Sequence, residues 1–206
     1  MFKKDPCLKM SSSPHSPHHV IQSLISKKSL VLDVGCNTGF LAKSLISRRV
    51  ICDGIDINEK ALSIARKYCR KVYKRNLYSH KLNIPRIKYD YIIFADILEH
   101  VPRPDLLLNN ARFYLKKKGT IIISLPNVAR LEIRLQLLFG NFDYTSGGIL
   151  SEDHLRHFTK KTAINIIERC GLSVTNIIPT GLGHQLGLFP TLTAFQFIYV
   201  CQLKNN

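Results

Sequence analysis

Residues 31–40, VLDVGCNTGF, constrain the fold more than any other stretch of the 206-residue chain. Leu30, Val31, Leu32 and Val34 make a short apolar run suited to a buried strand. Phe40, Leu41, Leu45 and Ile46 then recur at helical spacing. Gly35 and Gly39 stand between the two patterns. Without a Cβ they let the backbone bend tightly and let a ligand approach it, and the first N–H groups of the following helix face the same place. A parallel sheet binds its ligand beyond the carboxyl ends of its strands. A nucleotide-like cofactor is therefore expected over residues 33–39.

The same rhythm continues downstream. VICDGIDI is a second strand ending near Asp56, and Asn58 is suited to cap a helix running to Cys69. KVYKRN, 71–76, reads as a short third strand, and YDYIIFA, 89–95, as a central parallel one. Pro104 opens a helix with Leu106, Leu107, Leu108, Ala111 and Leu115 on or near its buried face. Lys116, Lys117 and Lys118 suit its C-terminal end, with Gly119 closing it and TIIISL, 120–125, as the fifth strand. This alternation predicts a doubly wound α/β sheet. After Pro126 come a helix over 128–140, a polar and aromatic lid over 141–158, and a helix from Thr159 to Cys170. Two final strands follow, 172–179 and 192–203, expected as antiparallel neighbours across a glycine-rich loop. Residues 1–17 read as a loose tail, and 18–206 as one domain that opens with a short helix carrying Val20, Ile21, Leu24 and Ile25.

The formal charge is +16, and ten Lys and Arg lie between Lys60 and Asp90. That could serve nucleic acid or anionic lipid, but no interleaved aromatic pattern accompanies it, so a solvated lysine-rich face is the simpler reading. The six cysteines contain no C-x-x-C pair and read as reduced structural thiols. No apolar run reaches the length of a membrane span and no secretory leader is evident, so a cytoplasmic protein is expected.

Two acids stand where a cofactor would lie. Asp33 ends the first strand beside the glycine turn, placed to order the loop or to meet a cationic group. Asp56 ends the second strand, 17 residues after Gly39, where a carboxylate can accept hydrogen bonds from both ribose hydroxyls. The run G-C-N-T-G is neither the dinucleotide fingerprint nor the phosphate loop, which favours a ribose-bearing cofactor without a pyrophosphate.

Taken together, DVGCNTG, GIDIN, DYIIFADILEHV and LKKKGTIIISLPN resemble the class I S-adenosylmethionine-dependent methyltransferases across residues 18–203. The stretch from Pro126 to Thr159 is similar to the bacterial branch holding MetW-type, quinone-biosynthesis-like and glycan-linked methyltransferases. The resemblance implies a Rossmann-like seven-stranded sheet, mostly parallel with one antiparallel edge pair, and S-adenosylmethionine as cofactor, with S-adenosylhomocysteine as product. Asp33, Gly35 and Gly39, with Cys36 and Asn37 between them, would line its methionine portion. Asp56 would hold the ribose, Ile57 the adenine face, Asn76 the adenine amino edge, and Asp96 the methionine end. The family often has Gly where this chain has Asn37, and Asp where it has Asn76.

Methyl transfer to a hydroxyl calls for a base. His100, in ILEH at the mouth of the expected pocket, is the first candidate, with a loop-ordering role as its rival. His154 and His157 in the lid are second candidates, with Tyr144 upstream. Asp96, Glu99 and His100 are spaced to share a helix face, and some quinone-biosynthesis methyltransferases hold a metal with such a set. An ordinary helix face explains the spacing, however, and no metal is expected. Arg130 and Arg134 face either an anionic acceptor or solvent. The leading expectation is a methyltransferase for a small-molecule or carrier-borne acceptor, with oxygen preferred. The alternatives are an RNA or protein methyltransferase using the basic surface, and a non-catalytic partner protein that keeps the fold.

Overall fold

The computed structural model describes residues 16–181 and 188–204. The tail residues 1–15, Cys7 and the centre of the last glycine-rich loop lie outside them. Seven strands form one sheet: β1 Leu30–Val34, β2 Ile51–Asp56, β3 Lys71–Lys74, β4 Tyr89–Ala95, β5 Leu115–Pro126, β6 Leu172–Pro179 and β7 Gln196–Leu203. Their order is β3-β2-β1-β4-β5-β7-β6. The first five are parallel, and β7 runs antiparallel to both β5 and β6. The expected sheet and its antiparallel final pair are both present.

Helices cover both faces. On one side α1 Pro17–Leu24, α2 Phe40–Leu45 and α3 Glu59–Ala65 pack over Val31, Ile93, Ile122 and Ile198. On the other, α4 Pro104–Ala111 and α6 Lys160–Arg169 cover Leu32, Ile92, Phe94, Ile121 and Phe197. The alternate residues of each central strand thus feed two separate cores, which is why these strands read as unbroken apolar runs. α5 Leu131–Leu138 touches the body through Ile133 alone among its buried residues, forming a small third cluster with Ile149 and Leu150. No helix of the described residues is long and apolar enough to cross a membrane.

Three local expectations need correction. α1 begins at Pro17, capped by Ser16, so the helix opens within the last residues expected as tail. The strand β3 stops at Lys74, because Asn76 accepts a hydrogen bond from the Tyr78 N–H and opens a short turn instead. Lys116, Lys117, Lys118 and Gly119 belong to β5 and not to the end of α4. Leu115 already pairs with Tyr89, and the chain bulges before Thr120 pairs with Tyr91. A Cβ at Gly119 would lie 2.7 Å from the Leu115 side chain and 3.0 Å from the Lys116 carbonyl, so a larger residue there would force a neighbour to move. The five cysteines in the described residues are all free and buried.

Candidate active site

The strand order reverses between β1 and β4, so their carboxyl ends open a cleft, with β2 on one side and β5 on the other. Asp33 is 3 % exposed at the end of β1. Its carboxyl has no hydrogen bond within the described residues, and burial together with nearby Asp56 raises its pKa from 3.8 to about 7. A buried carboxyl in this state either holds its proton or pairs with a cationic group. Asp56 is anchored: Oδ2 accepts from the Asn37 N–H at 2.8 Å and Oδ1 from the Asn58 N–H at 2.9 Å. It therefore ties the glycine loop to the start of α3 and keeps lone pairs on its outer side. Ile57 beside it is 55 % exposed, an apolar platform at the cleft edge.

The loop itself departs from the simplest reading. The N–H groups of Gly35 and Cys36 both donate to the Ile55 carbonyl, and that of Gly39 donates to the Cys36 carbonyl, so these donors are spent inside the protein. The two glycines make room for neighbours as well as for a bend. A Cβ at Gly35 would sit 2.0 Å from the Ile97 side chain, and one at Gly39 would sit 2.9 Å from the Ala65 backbone. Both have positive φ, as does Asn37 at 48°. Asparagine is among the few other residues that tolerate this region, which accounts for its standing in place of a third glycine. Cys36 turns its thiol into the core against Gly54, and only its backbone borders the cleft. Asn76 is occupied as the cap of its turn, accepting from Tyr78 at 2.9 Å.

Asp96 takes a left-handed conformation, φ 53°, after β4. Its Oδ1 accepts from the Ser124 hydroxyl at 2.9 Å and from Gln196 Nε2 at 3.1 Å. These two buried partners close the floor of the cleft where β5 ends and β7 begins. Sequence reading missed both. The only available signal was a polar side chain inside an apolar strand.

The lid docks directly on the turn Leu98–His100. Leu155 and Arg156 N–H groups donate to the Glu99 carbonyl at 2.9 and 3.1 Å, and Arg156 reaches the Pro102 carbonyl. This brings His154 edge-on to His100, with ring centroids 4.8 Å apart. His100 Nδ1 lies 3.0 Å from the Asp153 carbonyl and His154 Nδ1 lies 3.0 Å from the Ile149 carbonyl. Since a carbonyl only accepts, Nδ1 carries the proton in the neutral rings and Nε2 carries the lone pair. His157 packs against Phe142 and Tyr144, and burial plus neighbouring His154 lower its pKa. Glu99, His100 and His154 bring ligand atoms within 4.8 Å of one another, so the lid histidine takes the place that spacing gave to Asp96.

Comparisons with known proteins give the family and the fold. Residues 15–177 match the model of a methyltransferase-domain family. The chain belongs to this methyltransferase family. It is 27 % identical over 113 residues to a ubiquinone biosynthesis O-methyltransferase of Coxiella burnetii, covering 53 % of this chain and 48 % of that protein. A protein of the same description from Azoarcus sp. is 26 % identical over 166 residues, covering 71 % of this chain and 69 % of the relative. The methyltransferase chain thus spans about half the length of the first of these relatives. A structure of a SAM-dependent methyltransferase from Aquifex aeolicus superposes with a TM-score of 0.64 at 16 % identity, covering 91 % of this chain and 89 % of that one. The fold of this methyltransferase is that of the S-adenosylmethionine-dependent methyltransferase structure it superposes on.

Proposed function

We propose that this methyltransferase moves the methyl group of S-adenosylmethionine to an oxygen of a small-molecule or carrier-borne acceptor. Asp33 would meet the cofactor's ammonium end, Asp56 the ribose hydroxyls and Ile57 the adenine face. The fit rests on Asp33, whose buried carboxyl has no hydrogen-bonding partner among the described residues and would gain one from a cation. When bound, the cofactor supplies an electrophilic methyl carbon on a sulfonium.

The observation that carries the oxygen acceptor is the hydrogen-bond geometry of His100. Its Nδ1–H is directed to the Asp153 carbonyl at 3.0 Å, so Nε2 is the basic nitrogen and can take a hydroxyl proton as the oxygen attacks. The side chain is 16 % exposed, and the docked lid shields it from bulk water. The two curated relatives are named O-methyltransferases, which supports the same choice. Arg130 lies over the Phe195 ring at 5.7 Å and pairs with Glu132, so it offers little to an anionic acceptor.

The test is transfer of isotope-labelled methyl from S-adenosylmethionine to two compound pools, one of phenols and alcohols and one of amines. Label in hydroxylated products, lost in His100→Ala, is the expected result. Label confined to amines would refute the oxygen acceptor.

A further inference from the structure

Because β1 to β5 are parallel and their helices return in the opposite sense, every helix-to-strand connection ends on the side away from the cleft. These connections hold much of the chain's positive charge. Lys27 and Lys28 precede β1, Arg49 precedes β2 and Lys88 precedes β4. Lys117 and Lys118 stand in the irregular first part of β5, and all six residues are exposed. Acid on this side is largely neutralised: Asp53 is buried against Arg70, and Asp90 pairs with Lys116 at 2.8 Å. Glu168 is the exposed carboxylate left over among the described residues.

Two further features accompany the charge. Lys27, Lys28 and Lys118 share a polar hollow of about 270 Å³ with Ser26, Ser29 and Thr120, and with Asp90 and Tyr91. Three large apolar side chains project on the same side: Ile46 after α2, Ile51 at the start of β2 and Phe113 after α4, at 53 %, 48 % and 70 % exposure.

We propose that this basic side is a docking surface for an anionic phospholipid bilayer. Lysines spread over a broad face attract acidic headgroups, and apolar side chains set among them enter the interfacial layer. Nucleic acid suits the surface less well. Among the described residues Phe113 is the strongly exposed aromatic ring there, and a single ring cannot stack successive bases. The face also lies opposite the cleft, so it would not lead an RNA substrate to the transferred methyl. Docked this way, the chain turns its cleft to the water, and the acceptor arrives from solution or on a carrier. The proposal is independent of which atom receives the methyl.

The experiment is co-sedimentation of the full chain with vesicles of phosphatidylcholine alone, or of phosphatidylcholine with phosphatidylglycerol. It is run at low salt and at high salt, for wild type and for the triple variant Lys27→Glu, Lys28→Glu, Lys118→Glu. S-adenosylhomocysteine binding by calorimetry checks that the variant is folded, since none of its substitutions lies at the cleft. Binding to the acidic vesicles alone, abolished by high salt, is expected. Each basic side chain removed should weaken it about fivefold, so the triple variant should lose at least about 100-fold. No binding to acidic vesicles at low salt would overturn the proposal, as would equal binding of a folded triple variant. Tighter binding of single-stranded RNA than of acidic vesicles, lost in the same variant, would reassign the surface to nucleic acid.

Discussion

His154 sits edge-on against His100 with ring centroids 4.8 Å apart, although the two are separated by more than fifty residues of sequence. The contact exists because the Glu99 carbonyl accepts two N–H groups from the lid, at Leu155 and Arg156. Lid and cleft mouth are therefore one unit. His100→Ala should lower kcat by about 100-fold or more, the usual weight of a general base, while the dissociation constant of S-adenosylhomocysteine stays unchanged. His154→Ala removes the ring contact but leaves Nδ1 of His100 on Asp153, and should cost less. Steady-state kinetics beside calorimetry distinguishes the two, and undiminished turnover by His100→Ala would remove it as the base.

The Asp33 carboxyl makes stability depend on pH. Its pKa is 3.8 in ordinary surroundings and about 7 in the fold, so between those values the native chain holds a proton that the unfolded chain has released. Stability then falls as pH rises across that window. Without cofactor, the melting temperature of the wild type should drop from pH 5 to pH 8, and that of Asp33→Asn should drop less. Cofactor affinity should move the opposite way, improving through pH 7, because an ammonium pairs with the ionised form. Parallel melting curves for the two proteins would contradict the assignment.

Asp53 carries a structural network away from the cleft. It is fully buried and accepts from Arg70 Nε at 2.9 Å, from an Arg70 terminal nitrogen at 2.6 Å and from the Tyr89 hydroxyl at 2.8 Å. Removing one partner of such a pair leaves the others unsatisfied. Asp53→Ala should cost about 1–3 kcal/mol in urea unfolding, mainly from the buried Tyr89 hydroxyl left without its acceptor. A loss below about 1 kcal/mol would show that Arg70 recovers its interactions in solvent.

Gly39 is held by φ +74° and by the Ala65 backbone, 2.9 Å from where a Cβ would fall. Gly39→Ala should destabilise the chain by about 2 kcal/mol or more, since backbone cannot give way as a flexible side chain does. Equilibrium unfolding checks this, and a neutral effect would mean that α3 shifts freely.

How far the sequence revealed these features follows from distance along the chain. The run from Asp33 to Gly39 and the acid at Asp56 were readable because strand, turn and helix follow one another locally and the chemistry sits at the joints. The reason for the glycines was only half visible, since Ile97 and Ala65 arrive from elsewhere in the fold. Lys116, Lys117, Lys118 and Gly119 imitate the end of a helix in local chemistry, whereas pairing of Leu115 with Tyr89 places them in a strand. The partners of Asp96 come from β5 and the first residue of β7, 28 and 100 positions away, beyond any periodicity argument. The meeting of His100 with the lid is likewise a tertiary fact.

The proposed placement of S-adenosylmethionine, across the loop 33–39 with its ribose on Asp56, is open to direct measurement. Calorimetric titration of S-adenosylhomocysteine into wild type and Asp56→Ala tests it most directly. Wild type should bind with Kd on the order of 1–100 μM, and a folded Asp56→Ala at least about tenfold more weakly. Equal affinity for the two proteins, or no heat of binding by the wild type at millimolar ligand, would contradict it.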